Sequence, residues 1–421
     1  MRNISIIGAG QAGLQLGFGL LKAGYKPTVY SDMTPDQILN SSGRPVTIQF
    51  GPSLRLEEEL DLRFWRENRY CEVQDVYFSV FSPEGEKLVD VNTNFDKAAQ
   101  SIDLRMKFGR WLEEFERWGG KVVIEKCTID SMERMTPESD LIVVAAGRGQ
   151  FMDLFEIDES KMEFEQAQRQ VAMFYADKCD LHRQLEGLPD VRQRQVTRYS
   201  VINGVGEVMM APYLTRSGVE KQYIQFEAIP GAGMDIFNRD EDVGAQYEKA
   251  KNWLKQHQPL IYQLVEESTT APENEWVFGK IPPTVRKPVA YLPSGKAVFG
   301  VADAVIVNDP VIAQGLNGAS KWMGLLLKQI IKHGEKPFTS DWMQSCFDEY
   351  WETGQFNNKL TNTALRGPGP LQFKILKAAS KNERLAHMFL NCLGEAYKLD
   401  PWYWNEVEAD RLLDQYGELD S

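Results

Sequence analysis

A glycine-rich turn near the start of the chain constrains the fold more than any other feature of the sequence. The turn reads GAGQAG from Gly8 to Gly13, and it lies between an apolar run at 3–7 and a helical pattern at 11–23. A second strand-like run follows at 26–30. This order of strand, glycine turn, helix and strand is typical of a βαβ unit that binds a dinucleotide.

Each glycine of the turn has a physical task in such a unit. Gly8 permits the tight turn, Gly10 lets the backbone approach a pyrophosphate, and Gly13 lets the helix pack closely on the strand. The helix then begins with Gln11 and Ala12, whose N–H groups have no partner within the helix. We therefore expect the first turn of this helix to face the phosphate groups of the cofactor.

An acidic residue stands where a dinucleotide-binding unit contacts the adenosine ribose. Asp32 lies nineteen residues beyond Gly13, directly after the second strand-like run, and Ser31 precedes it. The carboxylate of Asp32 or the hydroxyl of Ser31 would form hydrogen bonds with the ribose hydroxyls. The motif predicts a dinucleotide, but it does not choose between FAD and NAD.

A second glycine-rich region, VFGVADAVIVNDPVIAQGLNGAS at 298–320, favours the flavin. A strand is predicted to end near Gly300, and Asp303 just beyond that end could accept hydrogen bonds from a ribityl chain. A helix is predicted to begin around Pro310 to Ile312, because proline is favoured in the first turn of a helix. Its N-terminus would stabilise the negative charge that a reduced flavin carries. The alternative is an ordinary loop in which Asp303 and Asp309 only cap the backbone.

Length, charge and cysteine content exclude several other classes of protein. A chain of 421 residues predicts two or three domains, and a net charge of −13 argues against a nucleic-acid partner. The five cysteines are scattered and indicate neither disulfides nor a zinc site. Glycines interrupt the uncharged stretch at 3–21, so we interpret it as neither a signal peptide nor a membrane span. We expect a cytoplasmic protein with no membrane partner.

The pattern along the chain predicts an α/β fold. We expect a Rossmann-like FAD-binding domain with an inserted antiparallel-sheet substrate domain and a helical C-terminal region. The segment 168–229 is rich in β-branched and aromatic residues broken by glycines, which favours antiparallel strands. The predicted FAD-binding domain comprises 1–52, 98–165 and 285–335, the substrate-binding domain comprises 53–97 and 166–284, and the helical region is 336–421.

Four motifs in this order resemble the flavoprotein hydroxylase family: GAGQAG, DLR at 103–105, DLIVVAAG at 140–147, and the second glycine-rich region. Within that family the chain is most similar to the styrene and indole monooxygenases. The segments TVYSD, SGR at 42–44 and DPVIAQGLNGAS carry this closer resemblance. The resemblance spans most of the chain and is weakest from Phe151 to Val289.

The resemblance implies a cofactor site that joins both glycine-rich regions. It places Arg105 at the phosphates or the ribityl chain, Asp303 at the ribityl hydroxyls, and Arg44 in a loop near the flavin, although Arg44 fits a surface position equally well. The full predicted set is Gly8, Gly10, Gln11, Ala12, Gly13, Ser31, Asp32, Arg44, Arg105, Ala146, Gly147, Asp303, Pro310, Gly315 and Asn317. The last three would border the isoalloxazine ring.

The resemblance also implies an activity. Members use non-covalently bound FADH2 and dioxygen to form a flavin C4a-hydroperoxide, which transfers one oxygen atom to a small aromatic substrate, here an aromatic alkene or indole. This chain has one dinucleotide fingerprint and reads Ala146-Gly147-Arg148 where self-sufficient relatives have Asp-Gly. Both features favour a separate NAD(P)H-dependent flavin reductase as the source of FADH2. A homodimer is compatible with this scheme.

No side chain is predicted to act as a catalyst or a metal ligand, because the flavin performs the chemistry. Two alternatives stay open at this point: a self-sufficient NAD(P)H-dependent FAD aromatic hydroxylase, and a flavin-binding protein without turnover. Aromatic residues of the central segment are predicted either to line a substrate pocket or to form plain core: Phe174, Tyr175, Tyr199, Tyr213, Tyr223 and Phe226.

Overall fold

The computed structural model describes residues 2–42, 46–68, 71–147, 151–180, 196–270 and 276–418. Its strands, in chain order, are β1 (Asn3–Ile7), β2 (Lys26–Ser31), β3 (Ile48–Gln49), β4 (Glu72–Phe81), β5 (Lys87–Ser101), β6 (Lys121–Ile124), β7 (Leu141–Val144), β8 (Gln170–Asp177), β9 (Val196–Ile202), β10 (Gly206–Leu214), β11 (Glu220–Ala228), β12 (Thr269–Thr270), β13 (Val277–Lys280), β14 (Thr284–Val285), β15 (Val289–Tyr291), β16 (Ala297–Gly300) and β17 (Ile306–Val307).

The α-helices connect these strands and form most of the C-terminal part of the chain. They are α1 (Gln11–Lys22), α2 (Pro35–Leu39), α3 (Gly51–Glu59), α4 (Leu104–Arg117), α5 (Ile129–Met135), α6 (Phe151–Leu154), α7 (Val243–His257), α8 (Pro259–Val265), α9 (Gln314–His333), α10 (Ser340–Arg366), α11 (Pro370–Ala379), α12 (Glu383–Cys392) and α13 (Glu406–Glu418).

The first sheet has the Rossmann-like arrangement that the sequence predicts. Its strand order is β15-β16-β7-β1-β2-β6, and all pairs are parallel except β15 with β16. β7 is a fully apolar run, and β1 is buried from Ile4 to Ile7 with Ser5 as its only polar residue there, as expected for strands that are covered on both faces. The helices α1, α4 and α9 cover one face through a core that includes Phe18, Trp111 and Trp322.

The second sheet contains the strands predicted between 168 and 229 and confirms that prediction. Its order is β12-β8-β11-β10-β9-β4-β5-β3, with β13 also paired to β8. Most neighbours are antiparallel, but β4 and β9 run parallel. These two strands are separated by more than a hundred residues, so no hairpin forces them to be antiparallel.

Successive side chains of each strand point to opposite faces of the second sheet, so its aromatic residues fall into two sets, one on each face. Phe174 and Phe226 lie under α7, where they contact Tyr247 and Trp253 with ring centroids 5.5 and 5.7 Å apart. They are therefore core residues. Three tyrosines and two smaller apolar residues point to the opposite face, which we term the inner face: Met173, Tyr175, Ala211, Tyr213 and Tyr223.

Helices α10 to α13 make up the C-terminal region, as the sequence predicts. Thr339 caps α10 by accepting a hydrogen bond from Trp342 N (3.2 Å), and the helix ends at Gly367 with a positive φ of 79°. Asn391 connects α12 to the second sheet by accepting from Asp96 N (2.9 Å). Within the described ranges, no helix combines the length and apolar character needed to cross a lipid bilayer. The domain boundaries given above remain predictions.

Candidate functional site

The ends of four neighbouring strands bring the predicted site residues to one edge of the first sheet. Ile7 pairs with Val144, and Val144 pairs with Gly300, all in parallel strands. The residues that follow these strands therefore emerge side by side, and those that follow β2 emerge beside them. In open parallel sheets this carboxyl edge is where ligands bind.

The first glycine turn has the geometry that a dinucleotide-binding turn requires. Gly8 has φ +114°, which disfavours any residue with a side chain, and its N–H donates to Tyr30 O at 2.9 Å. A Cβ on Gly13 would lie 1.9 Å from Gly8 O, so only glycine allows α1 to pack this closely. A Cβ on Gly10 would meet no atom within 4 Å. Open space therefore lies beside the first N–H groups of α1.

The two predicted glycine turns lie at the same end of two helices packed side by side. Gln15 Nε2 on α1 donates to Ser320 O on α9 (2.9 Å), and Gly19 lies against Leu327, about one turn further along α1 and two turns further along α9. The contacts advance in the same direction, so the N-termini of α1 and α9 lie at the same end. Gly315, like Gly10, has open space where a Cβ would stand.

The start of α9 differs from the sequence prediction. Pro310–Ile312 form a separate 3₁₀ turn that Asp309 caps by accepting from Val311 N (3.1 Å), and α9 begins only at Gln314. The prediction of a helix start around Pro310 is therefore wrong. Ala313 interrupts the helix because it adopts a left-handed conformation with φ 58°. Non-glycine residues in this region are strained and concentrate at functional sites.

The conformation of Ala313 leads to a testable prediction. Ala313→Gly should retain flavin binding, because glycine adopts a positive φ without strain. Ala313→Val should weaken flavin binding by about tenfold, because β-branched residues disfavour this region by about 1–2 kcal/mol and the turn before α9 would shift. Flavin fluorescence titration of the two variants measures the difference. Equal affinities for the two variants would contradict a role for this turn.

A close approach between two chain segments brings Gly147 beside Asp303. A Cβ on Gly147 would stand 2.3 Å from Asp303 Cβ, so glycine is needed here. Asp303 lies in a 3₁₀ turn after β16, and its side chain is exposed; Ala302 before it has φ 50°. Ala146 is half-buried beside Gly8. The structure therefore groups these residues with the first glycine turn, and their cofactor contacts remain predictions.

The structure distinguishes the two residues proposed for the adenosine side. Ser31 is buried, and its hydroxyl is used within its own turn: it donates to Met33 O (2.6 Å) and accepts from Met33 N (3.2 Å). Asp32 is exposed at the carboxyl edge of the sheet. Asp32 is therefore the better placed of the two for a ribose.

Of the two arginines predicted for the site, Arg105 lies within the described residues. Arg105 is buried, and its Nε donates to Asp103 Oδ1 (2.9 Å) while Nη1 donates to Ser41 O (3.2 Å). Asp103 also caps α4 by accepting from Arg105 N (2.9 Å). Arg105 thus connects the start of α4 to the loop that leads to Arg44. Arg44 itself lies outside the described residues.

Asn317 lies between the second glycine turn and the segment around β3. Its Nδ2 donates to Ile48 O (2.9 Å) and Ala313 O (2.7 Å), and its Oδ1 accepts from Phe50 N (2.9 Å). The amide group is therefore engaged with backbone. If Asn317 borders the cofactor as predicted, its contact is through its own backbone or through the turn that it holds.

A buried ion pair supports the first glycine turn, and the sequence interpretation missed it. Lys107 Nζ lies 2.6 Å from Glu57 Oε1, and both side chains are almost fully buried. Gln11 Nε2 donates to the same carboxylate (2.9 Å), so the side chain of the first residue of α1 is held by this ion pair. Burial lowers the pKa of Lys107, and Glu57 opposes that shift. The sequence does contain one indication of this pair. Lys107 lies four residues before Trp111, on the apolar face of a helix, where a charged side chain requires a buried partner.

A second buried group of charges connects the second sheet to the turn before α9. Arg169 Nε and Nη2 contact the two carboxylate oxygens of Glu207 at 2.6 and 2.7 Å. Glu227 and Asp309 lie against this pair. The sequence interpretation missed this group because charged residues within apolar strands have no recognisable spacing.

The residues present fit a dinucleotide cofactor at the carboxyl edge. Open space adjoins two parallel helix N-termini, at Gly10 and at Gly315, and Asp32 and Asp303 are exposed at the same edge. Helix N-termini favour anionic groups, and exposed carboxylates accept from sugar hydroxyls. The site therefore provides groups for both ends of one extended nucleotide.

Comparison with known proteins identifies relatives of this chain. Residues 147–263 match the family model "Styrene monooxygenase A putative substrate binding domain". This match lies in the part of the chain where the sequence motifs were weakest. Styrene monooxygenase StyA of Pseudomonas fluorescens is 24% identical over 338 residues, which cover 79% of this chain and 78% of that protein. StyA of a Pseudomonas species is 25% identical over 344 residues, with the same coverage.

Solved structures confirm the fold. The flavin-dependent brominase Bmp2 matches with a TM-score of 0.66 at 12% identity, and the match covers 100% of both chains. The chain has the FAD-binding fold, and its StyA relatives support a flavin-dependent monooxygenase. Within this class, the chain is similar to the styrene monooxygenases, in its central segment and over most of its length.

Proposed function

We propose that this chain is the oxygenase component of a two-component system. It binds FADH2 made by a separate NAD(P)H-dependent flavin reductase and epoxidises an aromatic alkene or indole, with one oxygen atom of O2 going to the substrate and the other to water. The observation that carries this proposal is the pair of open glycine turns at the N-termini of α1 and α9, at one edge of one sheet.

The chain's own residues would hold the cofactor without a covalent bond. Backbone N–H groups from Gln11 to Gly13 would bind the pyrophosphate, because they begin α1 beside open space. The carboxylate of Asp32 would accept from the ribose and that of Asp303 from the ribityl chain. The residues from Pro310 to Gly315 would border the ring, where the N-terminus of α9 stabilises negative charge.

The inner face of the second sheet would hold the substrate. Tyr175 and Tyr213 lie on this face with ring centroids 5.3 Å apart, and Ala313 packs against the same cluster. An apolar aromatic wall next to the turn before α9 suits a hydrophobic substrate and excludes water from the reacting groups. Reduced flavin, when bound, supplies the two electrons that activate dioxygen.

The proposal is tested by supplying the reduced cofactor directly. The purified chain is mixed anaerobically with photochemically reduced FAD and styrene or indole, and oxygen is then added. We expect epoxide, or the oxidation product of indole, in an amount comparable to the FAD oxidised, with little free hydrogen peroxide. Chromatography of the product and a peroxide assay make the two measurements.

Two other outcomes would favour the alternatives. Consumption of NADH by the chain with FAD and substrate, in the absence of a reductase, would indicate a self-sufficient hydroxylase. Release of all the oxygen as free hydrogen peroxide, as in a control without protein, would indicate a flavin-binding protein without turnover. A cytoplasmic location and a homodimer remain predictions from the sequence.

A further inference from the structure

Two glutamates lie side by side on adjacent strands of the second sheet, close to the turn before α9. Glu207 on β10 and Glu227 on β11 are direct partners in the register, and both are almost fully buried. They share the inner face with Tyr213 and Tyr223 by the alternation of the strands. Like charges directly opposite each other destabilise a sheet, so this pair requires compensation.

Among the described residues, the one cation that lies against these glutamates, Arg169, is already occupied. Arg169 forms two hydrogen bonds with Glu207, and its other donors bind Gln168 O (3.0 Å) and Leu365 O (3.1 Å). The guanidinium therefore neutralises Glu207. It leaves the charge of Glu227 without an ion-pair partner among the described residues.

Asp309 brings a third carboxyl group to the same place. It is fully buried, and its Oδ1 caps the 3₁₀ turn by accepting from Val311 N (3.1 Å). Glu227 Oε1 accepts from Gln225 Nε2. The remaining oxygens, Asp309 Oδ2 and Glu227 Oε2, have no donor among the described residues. The two side chains lie within hydrogen-bonding reach of each other.

Two buried carboxylates within hydrogen-bonding reach of each other cannot both be ionised. A proton shared between Asp309 Oδ2 and Glu227 Oε2 satisfies both oxygens. Burial raises the pKa of Glu227 well above its usual value, and the charges of Asp309 and Glu207 raise it further. Burial also raises the pKa of Asp309, to about 6. Tyr199 faces the same group, and burial raises the pKa of its phenol, which stays neutral.

We propose that Asp309 and Glu227 share one proton, and that this carboxyl–carboxylate hydrogen bond fastens the turn before α9 to the inner face of the second sheet. Glu227 is thereby a positioning residue that acts through Asp309. The bond joins the segment that would border the flavin ring to the sheet that would hold the substrate. This link between the two sites depends on the proposed function, whereas the shared proton does not.

The pH dependence follows from the direction of the shifts. Both groups have folded-state pKa values above their usual ones, so the hydrogen bond is present at low and neutral pH. It is lost as the pH rises through the raised pKa of the pair, when the last shared proton leaves. We therefore expect the turn to loosen on the alkaline side.

Infrared spectroscopy tests the shared proton itself. The full-length chain should show the carbonyl stretching band of a protonated carboxyl group at pH 7.5, and Glu227→Gln should lose it. Glu220→Gln, the same change at the other end of β11, is the matched control and should retain the band. Retention of the band in Glu227→Gln, or its absence in the unmodified chain, would overturn the proposal whether or not the chain binds flavin.

Flavin affinity tests the positioning role. The affinity of the unmodified chain for FAD should fall about tenfold as the pH rises through the titration of the pair, the loss expected for one hydrogen bond to a charged group. Glu227→Gln keeps a donor toward Asp309 at every pH, so its affinity should stay constant over the same range. A parallel fall in both proteins would overturn the positioning role, and Glu220→Gln should behave as the unmodified chain.

Discussion

Alanine at Gly13 is expected to abolish flavin binding, with at least a hundredfold loss of affinity. The added Cβ would stand 1.9 Å from Gly8 O and 3.2 Å from a methyl carbon of Ile6. Backbone cannot yield as a flexible side chain can, so α1 must move away from β1 and carry its N–H groups with it. We also expect a loss of about 3 kcal/mol in the free energy of unfolding.

Two further glycine variants separate packing from cofactor contact. Gly10→Ala meets no protein atom within 4 Å, so it should keep the stability of the unmodified chain and lose about tenfold in flavin affinity. Gly279→Ala, on β13, is also unobstructed and should change neither. Fluorescence titration and chemical denaturation measure the two quantities. Unchanged flavin affinity in Gly13→Ala would refute the assignment of this turn to the cofactor.

Lys107→Met is expected to lower the free energy of unfolding by about 3–5 kcal/mol, because it leaves the buried Glu57 carboxylate without its cation. Glu57 also accepts from Gln11 at the start of α1 and from Gln49 on β3. The same variant should therefore disturb the first glycine turn and weaken flavin binding. Denaturant unfolding at pH 7 gives the first value, and flavin titration gives the second.

An exposed ion pair provides the control for this prediction. Lys22 Nζ lies 2.6 Å from Asp61 Oδ2 on the surface of the protein, so Lys22→Met should cost less than about 1 kcal/mol. The double variant Lys107→Met with Glu57→Met removes both charges and should recover much of the stability lost in the single variant. Equal losses in Lys107→Met and Lys22→Met would show that the buried pair contributes no more than a surface pair.

Local patterns were sufficient to predict the βαβ unit, the strand that ends at Gly300 and the antiparallel strands between 168 and 229. Each depends on features within about twenty residues: apolar runs, glycines that permit a turn, and alternating side chains. The prediction failed at Pro310, where proline favours a helix start but Ala313 delays α9 to Gln314. That delay depends on long-range contacts, including the hydrogen bond between Asn317 and Ile48.

The sequence by itself determined the class of fold and the two turns at which a flavin nucleotide would bind, because glycine's backbone freedom acts within the turn that contains it. Only the tertiary structure decided which charges share a buried space. Lys107 and Glu57 are fifty positions apart, and Asp309 and Glu227 are eighty-two apart. No spacing rule connects such residues, because their proximity is set by how helices and sheets pack around a common core.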